Sequence, residues 1–241
     1  NDFTIRCDGT IYELSDFHIY NIELTSKNTN VYNENTFHVV KKKDTINIDP
    51  VEFAFGEDNF TFSGEFVKGD PRNIVLSLKD ISLAPIHALN KKIPSSGEVN
   101  GKIEFRKKTE PEIDIALKTT DLIYNHMSFP LTNIVSSIKK DTIFVDKANI
   151  FVGENSSMKI NGQLLCNFPL RKSGNMISGD KDIDLDINLD NFPAEYLNRY
   201  VMKKHNLSGN LTGNITLHNI LKNPEINTIF KIEQPVFNYI I

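Results

Sequence analysis

Apolar and polar residues alternate along most of the chain. Between Asp182 and Asp190, Ile183, Leu185, Ile187 and Leu189 are set against Asp184, Asp186, Asn188 and Asp190. A period of two sends successive side chains to opposite faces, so this run predicts a strand with one apolar and one charged face. The same alternation marks Phe53-Phe55, Phe60-Phe62, Ile74-Leu76-Leu78, Val99-Gly101-Ile103-Phe105, Ile113-Ile115-Leu117, Leu211-Gly213-Ile215-Leu217 and Ile226-Thr228-Phe230-Ile232. Turn-forming runs such as Gly56-Glu57-Asp58-Asn59 and Gly153-Glu154-Asn155 separate them, which predicts antiparallel pairing of successive strands. Two short helices are expected, over 85–91 and 193–204. Each is read as starting at a proline (Pro85, Pro193), whose missing N–H would have no intrahelical acceptor in the first turn. Leu89 and Leu197 follow at matching positions, and each helix reads as a plug or bend between runs of strands.

Two copies of one unit account for the order of these elements. KKDTINIDPVEFAFGEDNFTFSGEF from Lys42 aligns with KKDTIFVDKANIFVGENSSMKINGQL from Lys139, so that Asp44 matches Asp141 and Gly64 matches Gly162. Further on, NIVLSLKDISLAPIHAL from Asn73 resembles DIDLDINLDNFPAEYL from Asp182. SGEVNGKI from Ser96 matches SGNLTGNI from Ser208, and Pro111-Glu112-Ile113 recurs as Pro224-Glu225-Ile226. The second copy carries polar insertions near Arg171 to Lys181 and Lys203 to Leu207. The expected organisation is one continuous repeat-built β segment, with repeat 1 over about 36–124 and repeat 2 over about 131–239.

The 241 residues are 39% hydrophobic and 24% charged, enough apolar material for a core and too much for a disordered chain. Trp is absent, and Asn, Ile, Asp, Thr, Ser and Phe outweigh helix-favouring residues, which supports strands. With a formal net charge of -4, nothing calls for nucleic acid. The short basic clusters at Lys41-Lys42-Lys43, Lys91-Lys92, Arg106-Lys107-Lys108, Lys139-Lys140 and Lys203-Lys204 read as solvated turns and strand ends, with contact to anionic lipid head groups as the minority reading. Two cysteines, Cys7 and Cys166, give no disulfide framework and leave a single bridge open. No apolar run reaches the roughly 20 residues that span a bilayer. The chain starts at Asn1 without a signal-like pattern, so it reads as a piece of a longer protein whose edge strands pair with neighbouring repeats.

A long sheet with one apolar face must cover that face with a second sheet, with helices or with a ligand. Few helices are predicted. What remains is a facing sheet, as in a closed sandwich core, or a curved trough that holds acyl chains.

The run DIDLDINLDNFPAEYLNRYVMKKHNLSGNLTGNITLHNILKNPEINTIFKIEQPVFNY, from Asp182 to Tyr239, resembles the repeat of the AsmA/TamB superfamily. In that pattern an alternating strand leads to a Phe-Pro helix start, an L-S-G-x-L-x-G-x-I strand, a turn ending in N-P-x-I and a last strand. Asp80 to Tyr124 repeats it more loosely, with Ala84-Pro85 for Phe192-Pro193 and Glu110-Pro111 for Asn223-Pro224. The resemblance implies a long curved antiparallel sheet, the β-taco or groove, in a periplasmic protein anchored in the inner membrane by a helix outside this segment. It implies phospholipid movement toward the outer membrane along the groove, and the TamB branch is also associated with an outer-membrane assembly partner. The Asn-, Ile- and Lys-rich composition suggests an AT-rich bacterial genome of the Bacteroidetes kind. No residue of the family is catalytic, so only groove positions carry over. In the first copy these are Ile74, Leu76, Leu78, Val99, Ile103, Phe105, Ile113, Ile115 and Leu117. In the second they are Ile183, Leu185, Ile187, Leu211, Ile215, Leu217, Ile226, Phe230 and Ile232.

Other chemistry finds little support. The acidic series Asp180, Asp182, Asp184, Asp186 alternates along a strand, where calcium loops need a tight turn. His18, His38, His87, His126, His205 and His218 are dispersed, without the i, i+2 or i, i+4 pairs of metal sites. Cys166, in LLCNF, reads as a small buried hydrophobe, and Gly97 to Gly101 does not form a phosphate loop. No cofactor, no metal and no enzymatic activity are expected. The alternative is a non-catalytic β-sandwich binding or adhesion module, against which the absence of Trp and the scatter of Tyr12, Tyr20, Tyr32, Tyr124, Tyr196, Tyr200 and Tyr239 both count.

Overall fold

The computed structural model describes residues 4–12, 15–26, 29–89, 93–167, 177, 179–196 and 205–239. The chain is all-β, one antiparallel sheet of 15 strands. The strands are β1 (Thr4–Tyr12), β2 (Asp16–Ser26), β3 (Thr29–Asn33), β4 (Phe37–Lys42), β5 (Thr45–Phe55), β6 (Asp58–Val67) and β7 (Asp70–Ser82). A helix, α1 (Leu83–Leu89), precedes β8 (Ser96–Lys107), β9 (Pro111–Tyr124), β10 (Met127–Lys139), β11 (Thr142–Gly153), β12 (Ser156–Leu165), β13 (Ile183–Pro193), β14 (His205–His218) and β15 (Glu225–Tyr239). From β5 onward each strand pairs with its neighbours in sequence. At strand spacings of about 4.8 Å the sheet runs roughly 60 Å from β1 to β15.

Near the start, β3 and β4 occupy one place in the sheet as two collinear segments, both pairing β2 on one side and β5 on the other. Side chains carry the ladder across the gap. Buried Asn33 accepts from Ile22 N–H and donates to Tyr20 O and Asn35 O, while Asn35 Oδ1 accepts from Glu52 N–H. An amide side chain offers both donor and acceptor, so it can stand in for the peptide group that is missing there.

The two copies share their irregularities. The bulge at Ile48/Val51 recurs at Val145/Ala148, the one at Leu78/Ile81 at Leu189/Phe192, and the one at Ser96/Glu98 at Ser208/Asn210. Left-handed Lys43, Asp80 and Asp121 recur as Lys140, Asn191 and Gln234. Bulges bend and twist a sheet, so those that recur place the same local bends in both copies.

These landmarks correct the alignment of the prolines. Phe192-Pro193 follows the same bulge as Ile81-Ser82, three residues before Ala84-Pro85. In the first copy Ser82 N–H donates to Asp58 Oδ2 at 2.7 Å, and Pro193 has no N–H to place there. Pro193 therefore ends a strand instead of starting a helix, and α1 begins at Leu83, two residues before Pro85. Of the second expected helix, Glu195 and Tyr196 are helical, and 197–204 lie outside the described residues, as do 168–176 in the first insertion.

Candidate functional site

One largely apolar face runs across the strands from β5 to β15. Following the register from β5 to β15, Phe53, Phe60, Leu78, Gly101, Leu117, Ile134, Ala148, Ile160, Ile187, Ile215 and Thr228 form a single row. All eighteen residues expected to line a groove lie on this face, brought together from six strands. Ile74, Leu76 and Leu78 of β7 stand beside Phe105, Ile103 and Gly101 of β8. Ile113, Ile115 and Leu117 of β9 continue from Phe105, Ile103 and Gly101, and Val99 faces Ile81. In the second copy Leu185, Ile187 and Phe192 of β13 pair with Leu217, Ile215 and Leu211 of β14, which face Ile226, Thr228 and Ile232 of β15. Ile183 shares the face beside Leu164, and Phe230 beside Gly213.

The central strands β10 to β12 supply further members of the face, among them Ile134, Ile138, Ile143, Val145, Ile150 and Ile160. They escaped the sequence reading because Thr132 and Ser136 interrupt the apolar alternation on this face, and both are buried. The KKDTI repeat carries the signal that would have found Ile143 and Val145, since it aligns them with Ile46 and Ile48.

Burial along this face is uneven. Val51, Ile81 and Val99 in the first copy, and Leu189, Phe192, Ala194, Leu207 and Leu211 in the second, are buried toward one rim of the sheet, while Ile138 and Ile183 are buried near the other. Phe192 is 1% exposed. In a single layer such burial requires the sheet to curl over its own face and a cap to close it. Tyr196 packs edge-on against Phe192 and Phe129, with ring centroids at 5.6 and 5.5 Å, and its hydroxyl donates to Ser128 O at the start of β10, three strands away from β13. At the equivalent place in the first copy α1 packs on β8 and buries Leu83. Away from this capped rim, Ile74, Leu76, Ile103, Ile113, Ile115, Leu185 and Ile187 stay half-buried, and Ile226 and Phe230 of the edge strand are exposed.

The chain exposes 15546 Å², where a compact monomer of 27.4 kDa exposes about 11,000 Å². A sheet of one layer, with both faces open, adds to such an excess. A sandwich would need a second sheet, and the described strands form one.

Among the described residues the two rims differ in charge. Because the meander alternates direction, the turns after β4, β6, β8 and β10 share one rim, where Lys41-Lys42-Lys43, Lys68, Arg106-Lys107-Lys108 and Lys139-Lys140 collect. Carboxylates offset part of this, through Lys107–Asp70 at 3.1 Å, Lys140–Glu110 at 3.8 Å and Lys68–Asp44 at 4.0 Å. The capped rim carries Glu57-Asp58, Asp80, Asp121, Glu154 and Glu195. On the outer face Lys102, Glu104, Arg106 and Asp114 form an exposed ion network, and the hydrogen bond from Lys102 holds the Glu104 carboxyl below its ordinary range. Asp184 and Asp186 are also exposed, with Asp184 paired to His218 at 2.8 Å.

Cys7 is exposed on β1 and Cys166 is buried after β12, both as free thiols. Burial pushes the Cys166 thiol up, and the Asp141 carboxylate adds to the effect. Among the described residues no helix is long and apolar enough to cross a membrane.

No family model matches the chain, and no curated protein or solved structure matches it.

Proposed function

We propose that the chain is a periplasmic segment of an AsmA/TamB-like protein, which binds phospholipid acyl chains in its apolar trough and supports lipid transport between inner and outer membranes without catalysis. The observation that carries this reading is the apolar face itself, which extends over β5 to β15 and on which Ile74, Leu76, Ile103, Ile113, Ile115, Leu185 and Ile187 are only half-buried. A protein does not leave so large an apolar surface against water unless something occupies it. Each methylene transferred from water to that surface contributes about 0.8 kcal/mol, so part of one acyl chain suffices for retention. The resemblance of 182–239 to the AsmA/TamB repeat supports the same occupant and the periplasmic setting. Acyl chains lying in the trough would bring their phosphates to the open rim, where the lysine and arginine turns supply the complementary charge.

The test places a photo-crosslinking amino acid at Leu185, half-buried on the apolar face, and separately at Asp186, exposed on the opposite face. After irradiation in cells, mass spectrometry of the purified protein should find covalent lipid at Leu185 and none at Asp186. Protein-only adducts at Leu185 would mean that a polypeptide covers the face and would overturn the reading.

A further inference from the structure

The outer face near the first edge holds a group of side chains that the lipid reading does not use. His18 of β2 and His38 of β4 are direct cross-strand partners, and Asp16 precedes His18 by two residues on the same face. Asp16 Oδ1 lies 3.6 Å from His18 Nε2 and 3.8 Å from His38 Nδ1, and the three donor atoms all fall within 4.8 Å of one another. The imidazole rings stack with centroids 3.8 Å apart and planes tilted by 32°, and Tyr12 leans against His18 at 4.5 Å.

We propose that Asp16, His18 and His38 bind a divalent transition metal, zinc or copper in class. The separations of the carboxylate oxygen from the two nitrogens are too long for hydrogen bonds. They are a few tenths of an ångström wider than the roughly 3.3 Å between donors around a tetrahedral ion with bonds of 2.0–2.1 Å. Asp16 Oδ1 is shielded from water and has no hydrogen-bond partner. A cation between the three groups satisfies it. Closing the set needs the three donor atoms, now within 4.8 Å of one another, to converge by side-chain rotation. Two imidazoles and one carboxylate suit zinc and copper and not calcium or magnesium, which take oxygen ligands. The side chains of His18, His38 and Asp16 retain 27%, 41% and 37% of their exposure, which leaves the fourth position to water or to a donor from a partner.

The metal would fasten β4 to β2 where they pair over four residues only, Asp16–Ile19 against Phe37–Val40. Sequence spacing alone hides the site, because its two histidines are neighbours across strands and not along one. The inference is independent of lipid binding.

Titration of the purified chain with zinc chloride against a chromogenic chelator should show one tight site per chain. His18→Asn and His38→Asn should each weaken it by at least about tenfold, the order of loss seen when a metal's supporting groups are removed. His218→Asn, which removes the imidazole of a separate ion pair, should leave it intact. Copper at one equivalent on the unmodified chain should give an electron paramagnetic resonance spectrum coupled to two nitrogens, which decides the matter should either variant fail to fold. Zinc affinity equal in the unmodified chain and in the His18→Asn variant, or a copper spectrum coupled to fewer than two nitrogens, overturns the site.

Discussion

Gly64 and Gly162 occupy the same place in the two copies of the KKDT unit, yet the structure predicts that alanine is accepted at one and rejected at the other. A Cβ on Gly64 would meet only side-chain ends, Ile74 Cδ1 at 2.9 Å, Phe66 Cε2 at 3.2 Å and Phe62 Cζ at 3.5 Å. These can rotate aside on a face that is only half-buried, and alanine also restricts the unfolded chain, a gain of about 0.4–1 kcal/mol where the backbone is compatible. Gly64→Ala should therefore change stability by less than about 1 kcal/mol in either direction. Gly162 has φ of +131°, and a Cβ there would sit 2.1 Å from Asp184 O and 2.9 Å from Leu185 Cα on the adjoining strand. Backbone atoms cannot rotate away. The conformation alone costs about 1–3 kcal/mol, and forcing β12 from β13 adds about 1–3 kcal/mol of overpacking, so Gly162→Ala should lose about 2–6 kcal/mol. Urea unfolding followed by circular dichroism would place the midpoint of Gly162→Ala more than about 1 M below that of Gly64→Ala, with similar slopes. Midpoints that coincide would refute the close approach of β12 and β13 and the register built on it.

Three further outcomes are expected. Asn33→Ala leaves Ile22 N–H and Tyr20 O without their bridge across the split strand and should cost about 2–4 kcal/mol, with hydrogen exchange accelerating at Ile22 and leaving β13 unaffected. A thiol reagent on the native chain should modify Cys7 and spare Cys166, because Cys166 is buried and its burial, with the Asp141 charge, disfavours the thiolate; equal rates at the two would contradict the buried position. Replacing Lys42, Lys43, Lys139 and Lys140 by glutamate should weaken retention of vesicles rich in anionic phospholipid and abolish the salt dependence of that retention, whereas unchanged retention would remove the basic rim from the lipid reading.

The amino-acid pattern by itself determined which residues share a face. Alternation is local, since a strand sends neighbours to opposite sides whatever surrounds it, and Ile183 to Asp190 therefore declares both a strand and its two faces. The repeat was legible for a related reason: Gly101 and its counterpart Gly213 both lie where the backbone of the neighbouring strand crowds the site of a Cβ, and that requirement recurs in the second copy. Tertiary structure decided what depends on long-range geometry. The equivalence of Pro193 with Ser82 and not with Pro85 follows from bulges, which add a residue to one strand without a consistent mark in composition. The central part of the apolar face was hidden by Thr132 and Ser136, whose place is set by cross-strand register. The meeting of His18 with His38 across β2 and β4, and of Tyr196 with Ser128 three strands away, depends on which strands adjoin and how far the sheet curls. Local periodicity carries no information about either, because pairing and curvature are properties of the whole sheet.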